Sequence, residues 1–365
     1  MTGQFNRRSL FSAAMVATAA SGIAACASPG DQGEVELSSE PGVWMPNEFD
    51  RLQDVFVGAY DYDAPLPASS YSVLQYMGAE FADDMDRNAG MTMREAHPPE
   101  VLELFEQEIE SLVAVYESHG VRVRRPRTLT AAEYEFVQPG GIPIYARDPV
   151  LALHDTMIDG AVMMPFRRKE VFGFRDDLTE LAEADPAARH LAVPQPVPTE
   201  LHRDVPEEPG PFLEGGDVFV LDNTVLVGAS GLASNKAGVN WLRRHFEGLD
   251  FHEVRLQHHW LHLDCVLAVV RPGLAVCHRD AFLDGLPEPI ADWEIIEATA
   301  DEAHVMGCNT VCVEQNKVII PNEHTRLIEE LVKRDVEIIG DFSFEGVSRG
   351  GGGVRCATMP IRRGY

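Results

Sequence analysis

The stretch Asp217-Val218-Phe219-Val220-Leu221-Asp222-Asn223-Thr224-Val225-Leu226-Val227-Gly228 decides the fold. Apolar runs on either side of Asp222-Asn223 predict two strands joined by a tight turn, because those two residue types accept the backbone angles that a hairpin needs. Ser234 to Phe246 follows with helical spacing at Val239, Leu242 and Phe246, and Phe251 to Leu256 reads as a further strand. The layout recurs. Leu261 to His278 predicts a hairpin turning at Arg271-Pro272-Gly273. Asn309 to Pro321 predicts another, turning at Gln315-Asn316, followed by a helix over Glu323 to Arg334 and a strand over Val336 to Ile339. Leu52 to Gly58, a helix over Glu100 to His119 with the strand Val121 to Arg124, and a hairpin over Val150 to Met164 supply the remaining units. A strand, turn, strand, helix and strand repeating about every 50 residues points to an α/β chain whose units are blades around a common centre. A plain α/β sandwich is the alternative.

Polar residues gather where these hairpins begin. Residues two apart on a strand share a face, so His262 and Asp264 are expected to enter one cavity together. Glu214 stands before Gly215 and Gly216, where the backbone can turn sharply, and Asp217 closes that motif. Arg147-Asp148-Pro149 heads the Val150 strand, with Pro149 forcing an extended residue before it. Near the C-terminal end, Gly350 to Gly353 lead through Val354 and Arg355 to Cys356, which reads as a nucleophile. Carboxylates around a thiol raise its pKa and suppress the thiolate, unless the substrate itself is a cation. A guanidinium held by Asp148, Glu214 and Asp264 would bring positive charge to Cys356 and offer it an electrophilic carbon, with His262 as acid and base. His258, His259 and His262 lack a spacing that presents them together to a metal, so no metal is expected. Arg167-Arg168-Lys169 and Arg362-Arg363 read as solvated charges.

The net charge of -28, from 30 Lys and Arg against 58 Asp and Glu, argues against nucleic acid or an anionic membrane surface as partner. A small cation fits better. Arg7-Arg8-Ser9-Leu10-Phe11 and the mild apolar stretch through Ala25 read as a twin-arginine export signal over residues 1–25. Ile23-Ala24-Ala25-Cys26 resembles a lipobox, so Cys26 is expected to be lipidated, with an ordinary signal peptide as the alternative. Residues 26–42 read as a tether and 43–365 as the folded domain, exported and held at the membrane only by the lipid. Cys265, Cys277, Cys308 and Cys312 read as small apolar fillers.

Taken in order, Arg147-Asp148, the Glu214 to Asp217 motif, His262-Leu263-Asp264 and the Gly351 to Cys356 run resemble the guanidino-group-modifying enzymes of the pentein superfamily, and most of all the arginine:glycine amidinotransferases. Asn47-Glu48-Phe49-Asp50, Gly120 to Pro126, the Trp241 to His245 helix and the run from Cys356 to Arg363 carry the likeness across the whole exported domain. The resemblance implies a five-bladed α/β propeller of pseudo-fivefold ββαβ repeats, with the site on its axis and neither metal nor organic cofactor. It implies Cys356 as nucleophile, His262 paired with Glu214 as acid and base, and Asp148 and Asp264 as guanidinium ligands. Asp217 and Arg279 are expected to add to substrate binding, Arg279 from near the position where amidinotransferases hold the donor's carboxylate. The expected reaction passes an amidino group through an amidino-cysteine to an amine acceptor. Water in place of the amine gives a hydrolase, and a lipoprotein that binds a guanidinium without turnover is the third reading.

Overall fold

The computed structural model describes residues 42–67, 79–136, 140–141, 143–195 and 210–364. The export signal, Cys26 and the tether as far as residue 41 lie outside the described residues. The folded part falls within one compact unit, Leu37–Tyr365.

The strands form five separate three-stranded sheets. Strand β1 (Leu52–Val57) pairs in parallel with β2 (Arg122–Arg124). The helix Pro99–Ser118 makes the crossover, burying Leu102, Phe105, Ile109, Leu112 and Tyr116 at helical spacing. The second sheet holds β3 (Val150–Leu153), β4 (Thr156–Asp159) and β5 (Arg189–Ala192). The third holds β6 (Val218–Leu221), β7 (Thr224–Ala229) and β8 (Asp250–Arg255). The fourth holds β9 (Leu267–Arg271), β10 (Leu274–Cys277) and β11 (Glu294–Glu297), and the fifth β12 (Val311–Glu314), β13 (Lys317–Ile319) and β14 (Glu337–Ile338). In each of these four an antiparallel hairpin is followed by a third strand parallel to the second. The first sheet keeps the pattern by borrowing its antiparallel member from the other end of the chain, where β15 (Thr358–Arg363) pairs with β1.

The turns obey the residue types that make them. Asp222 and Asn316 take φ of 57° and 66° at the tips of their hairpins, angles that Asp and Asn tolerate better than other side-chain-bearing residues. Asn235 caps the helix Lys236–His245 by accepting from the Gly238 amide at 2.9 Å, so that helix begins two residues later than its apolar spacing suggested. The fourth unit departs from the expected layout: short 3-10 turns, Arg279–Ala281 and Glu288–Ile290, stand where a crossover helix was expected. The core lies between successive sheets. Leu151, Leu153 and Ile158 of the second pack with Val218, Val220, Val225 and Val227 of the third, under Val239 and Leu242 of the capped helix. Arg363, expected in solvent, is buried and donates to the Asp50 carbonyl at 2.7 Å, tying β15 to the chain ahead of β1. Arg362 donates to Gln53 at 2.9 Å.

Candidate active site

Each sheet receives its first strand through a polar residue. Asp148 lies just before β3, Glu214 before β6, His262 and Asp264 before β9, Asn309 before β12 and Cys356 before β15. His262 and Asp264 are not on a strand. His262 is extended and Asp264 sits in a 3-10 turn, Leu263–Cys265, and that turn carries both side chains inward. The Glu214 motif makes the same kind of turn over Gly215–Asp217. Its glycines let the approach segments come closer than any side chain permits. A Cβ on Gly215 would stand 2.0 Å from the Arg147 carbonyl, and one on Gly216 would stand 2.8 Å from both Asp148 Oδ1 and His262 Nδ1. The glycine run before Cys356 clears neighbours in the same way: a Cβ on Gly352 would meet the Tyr145 ring at 2.5 Å, and one on Gly353 would meet Asn309 Oδ1 at 2.7 Å.

His262 Nε2 lies 2.9 Å from Glu214 Oε2, and its Nδ1 lies 3.8 Å from Asp148 Oδ1. Glu214 is aimed by the Met163 amide, which donates to Oε1 at 2.8 Å. Burial alone would keep the ring neutral, but Asp148, Glu214 and Asp217 outweigh it and raise His262 to about 10, so the imidazole is protonated at neutral pH. Burial also works against ionised Asp148, yet His262 and Arg167 hold that carboxyl below its ordinary value.

Cys356 Sγ lies 3.5 Å from Asp264 Oδ2 and 3.1 Å from Asn309 Nδ2. Burial, reinforced by Asp264 and Asp148, pushes the thiol well above its usual value, so the resting group is S–H rather than thiolate. Asp264 is pinned from its other side by Arg355, whose Nη1 stands 3.1 Å from the same Oδ2 and whose guanidinium also reaches Glu48 at 3.2 Å. That guanidinium stacks 3.7 Å above the Phe219 ring.

A cavity of about 140 Å³ opens onto Cys356, His262 and Asp148. Arg167, expected in solvent, lines it. Its Nη1 donates to Asp148 Oδ2 at 2.8 Å, and its Nε and Nη2 reach Glu170 at 3.0 and 2.9 Å. Arg168 and Lys169 are likewise buried, bonded to the carbonyls of Val162 and Tyr134. Asp148 is left with Oδ1, which is buried without a hydrogen-bond partner. Asp217 lies outside the cavity. Its carboxylate accepts from the Ser234 amide at 3.0 Å and the Leu263 amide at 2.9 Å, and so ties the third unit to the His262 turn rather than meeting a substrate. Arg279 is also corrected: its side chain is half exposed, pairs with Glu297 at 3.2 Å and does not reach the cavity. Cys265, Cys277, Cys308 and Cys312 are free and buried, as apolar fillers are.

Asp148, Glu214 and His262 bring atoms of metal-ligand type within 4.8 Å of one another. Arg167 takes Asp148 Oδ2 and the imidazole takes Glu214 Oε2. Asn309 is the residue that sequence reasoning passed over. Its position just ahead of β12, matching Asp148, Glu214 and His262 in their own units, was the available signal.

A family model described as N,N dimethylarginine dimethylhydrolase, eukaryotic, matches residues 86–363, and the chain belongs to this family of guanidino-group-modifying enzymes. It is 26% identical over 349 residues to inosamine-phosphate amidinotransferase 1 of Streptomyces glaucescens, covering 88% of this chain and 97% of that protein. It is 23% identical to the L-arginine:L-lysine amidinotransferase of Pseudomonas savastanoi pv. phaseolicola, over 87% of this chain and 93% of the relative. Among solved structures, SxtG, an amidinotransferase from Microseira wollei, superposes with a TM-score of 0.74 at 23% identity, covering 88% of this chain and 98% of its own.

Proposed function

We propose that this chain moves an amidino group from a guanidino donor to an amine acceptor through a covalent adduct on Cys356. The observation that carries the reading is the buried His262–Glu214 pair and the Asp148 carboxylate, which lies 3.8 Å from that imidazole, gathered beside a cavity that Cys356 lines. The likeness to amidinotransferases over nearly the full length of those proteins supports it.

A guanidinium bound beside Asp148, with the buried Asp264 carboxylate behind Cys356 Sγ adding to its attraction, supplies the positive charge that drives Cys356 to thiolate, its proton leaving to solvent. Sγ then attacks the central guanidinium carbon. His262 gives its proton to the departing nitrogen as the C–N bond breaks, and the amidino group remains on sulfur. The acceptor amine attacks that carbon, neutral His262 takes the amine's proton, and the thiolate leaves. Water attacking in the amine's place gives a hydrolase, a reading favoured by the name of the matching family. Incubating the protein with a guanidine, with and without an amine acceptor, separates the two. Urea-type product formed at full rate without acceptor excludes the transferase.

The five sheets are read here as the blades of a five-bladed α/β propeller. The support is that Asp148, Glu214, His262, Asn309 and Cys356, one approach segment from each sheet, gather at a single site.

A further inference from the structure

The helix Pro99–Ser118 carries one charged residue among its buried ones. Glu108 stands three places after Phe105 and one before Ile109, on the face that packs inward, and is itself buried. A carboxylate so placed is costly unless donors meet it. Two do: the amides of Gly346 and Val347 donate to Oε1 at 3.0 Å and Oε2 at 2.8 Å. They belong to the single helical turn Glu345–Ser348, whose leading amides have no acceptor within the turn itself. Gly346 leaves room for the contact, since a Cβ there would stand 3.0 Å from Glu108 Oε2.

That turn opens directly into the glycine run before Cys356. Gly350 to Gly353 give the run backbone freedom, so the place of Sγ depends on what holds its two ends. Asn309 holds the Cys356 end. At the other, the Val347 carbonyl accepts from the Tyr145 hydroxyl at 3.0 Å. Tyr145 lies three residues ahead of Asp148, whose amide donates to the Tyr145 carbonyl at 3.4 Å. One turn is therefore bonded to Glu108 on one side and to the Asp148 segment on the other.

We propose that Glu108 is a positioning residue, which holds the Gly346 and Val347 amides and so fixes the glycine run and the place of Cys356 relative to Asp148. The inference rests on the amidino-transfer reading of Cys356 and adds to it a residue that does not line the cavity. Ionised, the carboxylate accepts from both amides at full strength; protonated, one oxygen carries a hydrogen and its bond weakens. Burial pushes Glu108 up to about 7 against the pull of the two amides, and Glu323 and Glu345, the charged groups facing it, add to the rise. Tyr60 is a further titratable side chain beside it. The hold is complete above about pH 7 and is released as pH falls through that value.

The test compares the full chain with its Glu108→Gln variant from pH 6 to 9, with L-arginine or 4-guanidinobutylamine as donor and glycine or L-lysine as acceptor. The substitution keeps the shape of the side chain and turns an NH2 toward one of the two amides. At pH 8.5 the variant's kcat should fall by about tenfold or more, since misplacing a reacting group by about 1 Å costs up to about 100-fold. KM should change by less than about twofold, because Asp148 is held by Arg167 rather than by Glu108. As pH falls through about 7, wild-type kcat should drop toward that of the variant. Glu170 titrates in the same range but is common to both proteins, so the difference belongs to Glu108. A kcat gap that stays constant with pH, or a loss confined to KM, overturns the inference and leaves amidino transfer standing. If wild type turns over none of these donors, amidino transfer takes the loss, and the rate of Cys356 alkylation by iodoacetamide, followed by the mass of its peptide, judges the positioning role. The variant should then react severalfold faster than wild type at pH 8.5, because a loosened run uncovers the buried thiol, and at the same rate at pH 6. A ratio that is flat across the range overturns the role. Tyr145→Phe removes the other bond to the turn, so combining it with Glu108→Gln should cost less than the product of the two single losses. Losses that multiply would count against the inference.

Discussion

Asn309 is bonded to Cys356 from both ends of its amide: Nδ2 stands 3.1 Å from Sγ, and Oδ1 accepts from the Cys356 amide at 3.0 Å. The orientation of the amide is fixed, because Oδ1 also accepts from the Arg355 amide at 2.8 Å and only the NH2 end can then face sulfur. A donor aimed at Sγ favours the thiolate once substrate charge arrives. Asn309→Asp keeps the acceptor oxygen and replaces that donor with a negative oxygen. The variant should fold, and its thiol should react with iodoacetamide about 10- to 100-fold more slowly at pH 8, as loss of a charge-assisted hydrogen bond of about 1.5 to 3 kcal/mol implies. Alkylation at the wild-type rate would remove Asn309 from the activation of Cys356.

Gly215 and Gly216 are adjacent and should fail differently. A Cβ on Gly215 meets backbone, the Arg147 carbonyl, so Gly215→Ala must move the chain itself and should destabilise by about 1 to 3 kcal/mol, as overpacking does. A Cβ on Gly216 meets the side chains of Asp148 and His262. Gly216→Ala should therefore cost more in kcat/KM than in stability, read as a small change in the urea midpoint beside a large fall in turnover. Equal losses in both variants would show that the two glycines share one structural task.

The hairpins were legible because alternation and Asp or Asn turns are local signals, and β6, β7, β12 and β13 fall where those signals place them. The closure of the first sheet was not. Thr358–Arg363 carries a proline and two arginines, and nothing local reports that a strand at one end of the chain pairs with Leu52–Val57 near the other. The site was legible to the extent that its residues sit in short motifs: Glu214 beside Gly215-Gly216, His262 before Asp264, Cys356 after glycines. Arg167 was misread because a run of three cations looks solvated in sequence. Only the fold brings Asp148 and Glu170 to Arg167, and the carbonyls of Val162 and Tyr134 to Arg168 and Lys169. Asp217 was misassigned because adjacency to a motif does not say which side of a turn a side chain leaves from, and Arg279 because a place near the family's carboxylate-holding position does not say where its side chain points.

Arg167 neutralises two buried carboxylates together. Burial pushes Glu170 up to about 7 even with Arg167 opposing, and among the described residues Arg167 is the guanidinium bonded to Asp148. Arg167→Met should destabilise by about 3 to 5 kcal/mol, the usual result of stripping one partner from a buried ion pair. Arg167→Met combined with Glu170→Leu should recover part of that loss, because one orphaned carboxylate is removed with the cation. Urea denaturation of both variants checks this, and a double variant no more stable than the single one contradicts the pairing.

The His262 proton makes stability depend on pH in a stated direction. The folded ring is raised from 6.5 to about 10, so the native state holds a proton that the unfolded chain gives up at lower pH. Its contribution is fully present below about pH 6.5 and is lost as pH rises through about 10. Asp217 and Glu170, raised by burial to about 6 and about 7, act mainly at lower pH. The comparison that isolates His262 is therefore wild type against His262→Asn, each followed by urea midpoint from pH 6 to 10. The wild-type advantage should shrink steadily across that range. A difference that stays flat over those four units would mean that the imidazole is neutral in the folded protein, and the proton donated to the departing nitrogen would have to come from another group.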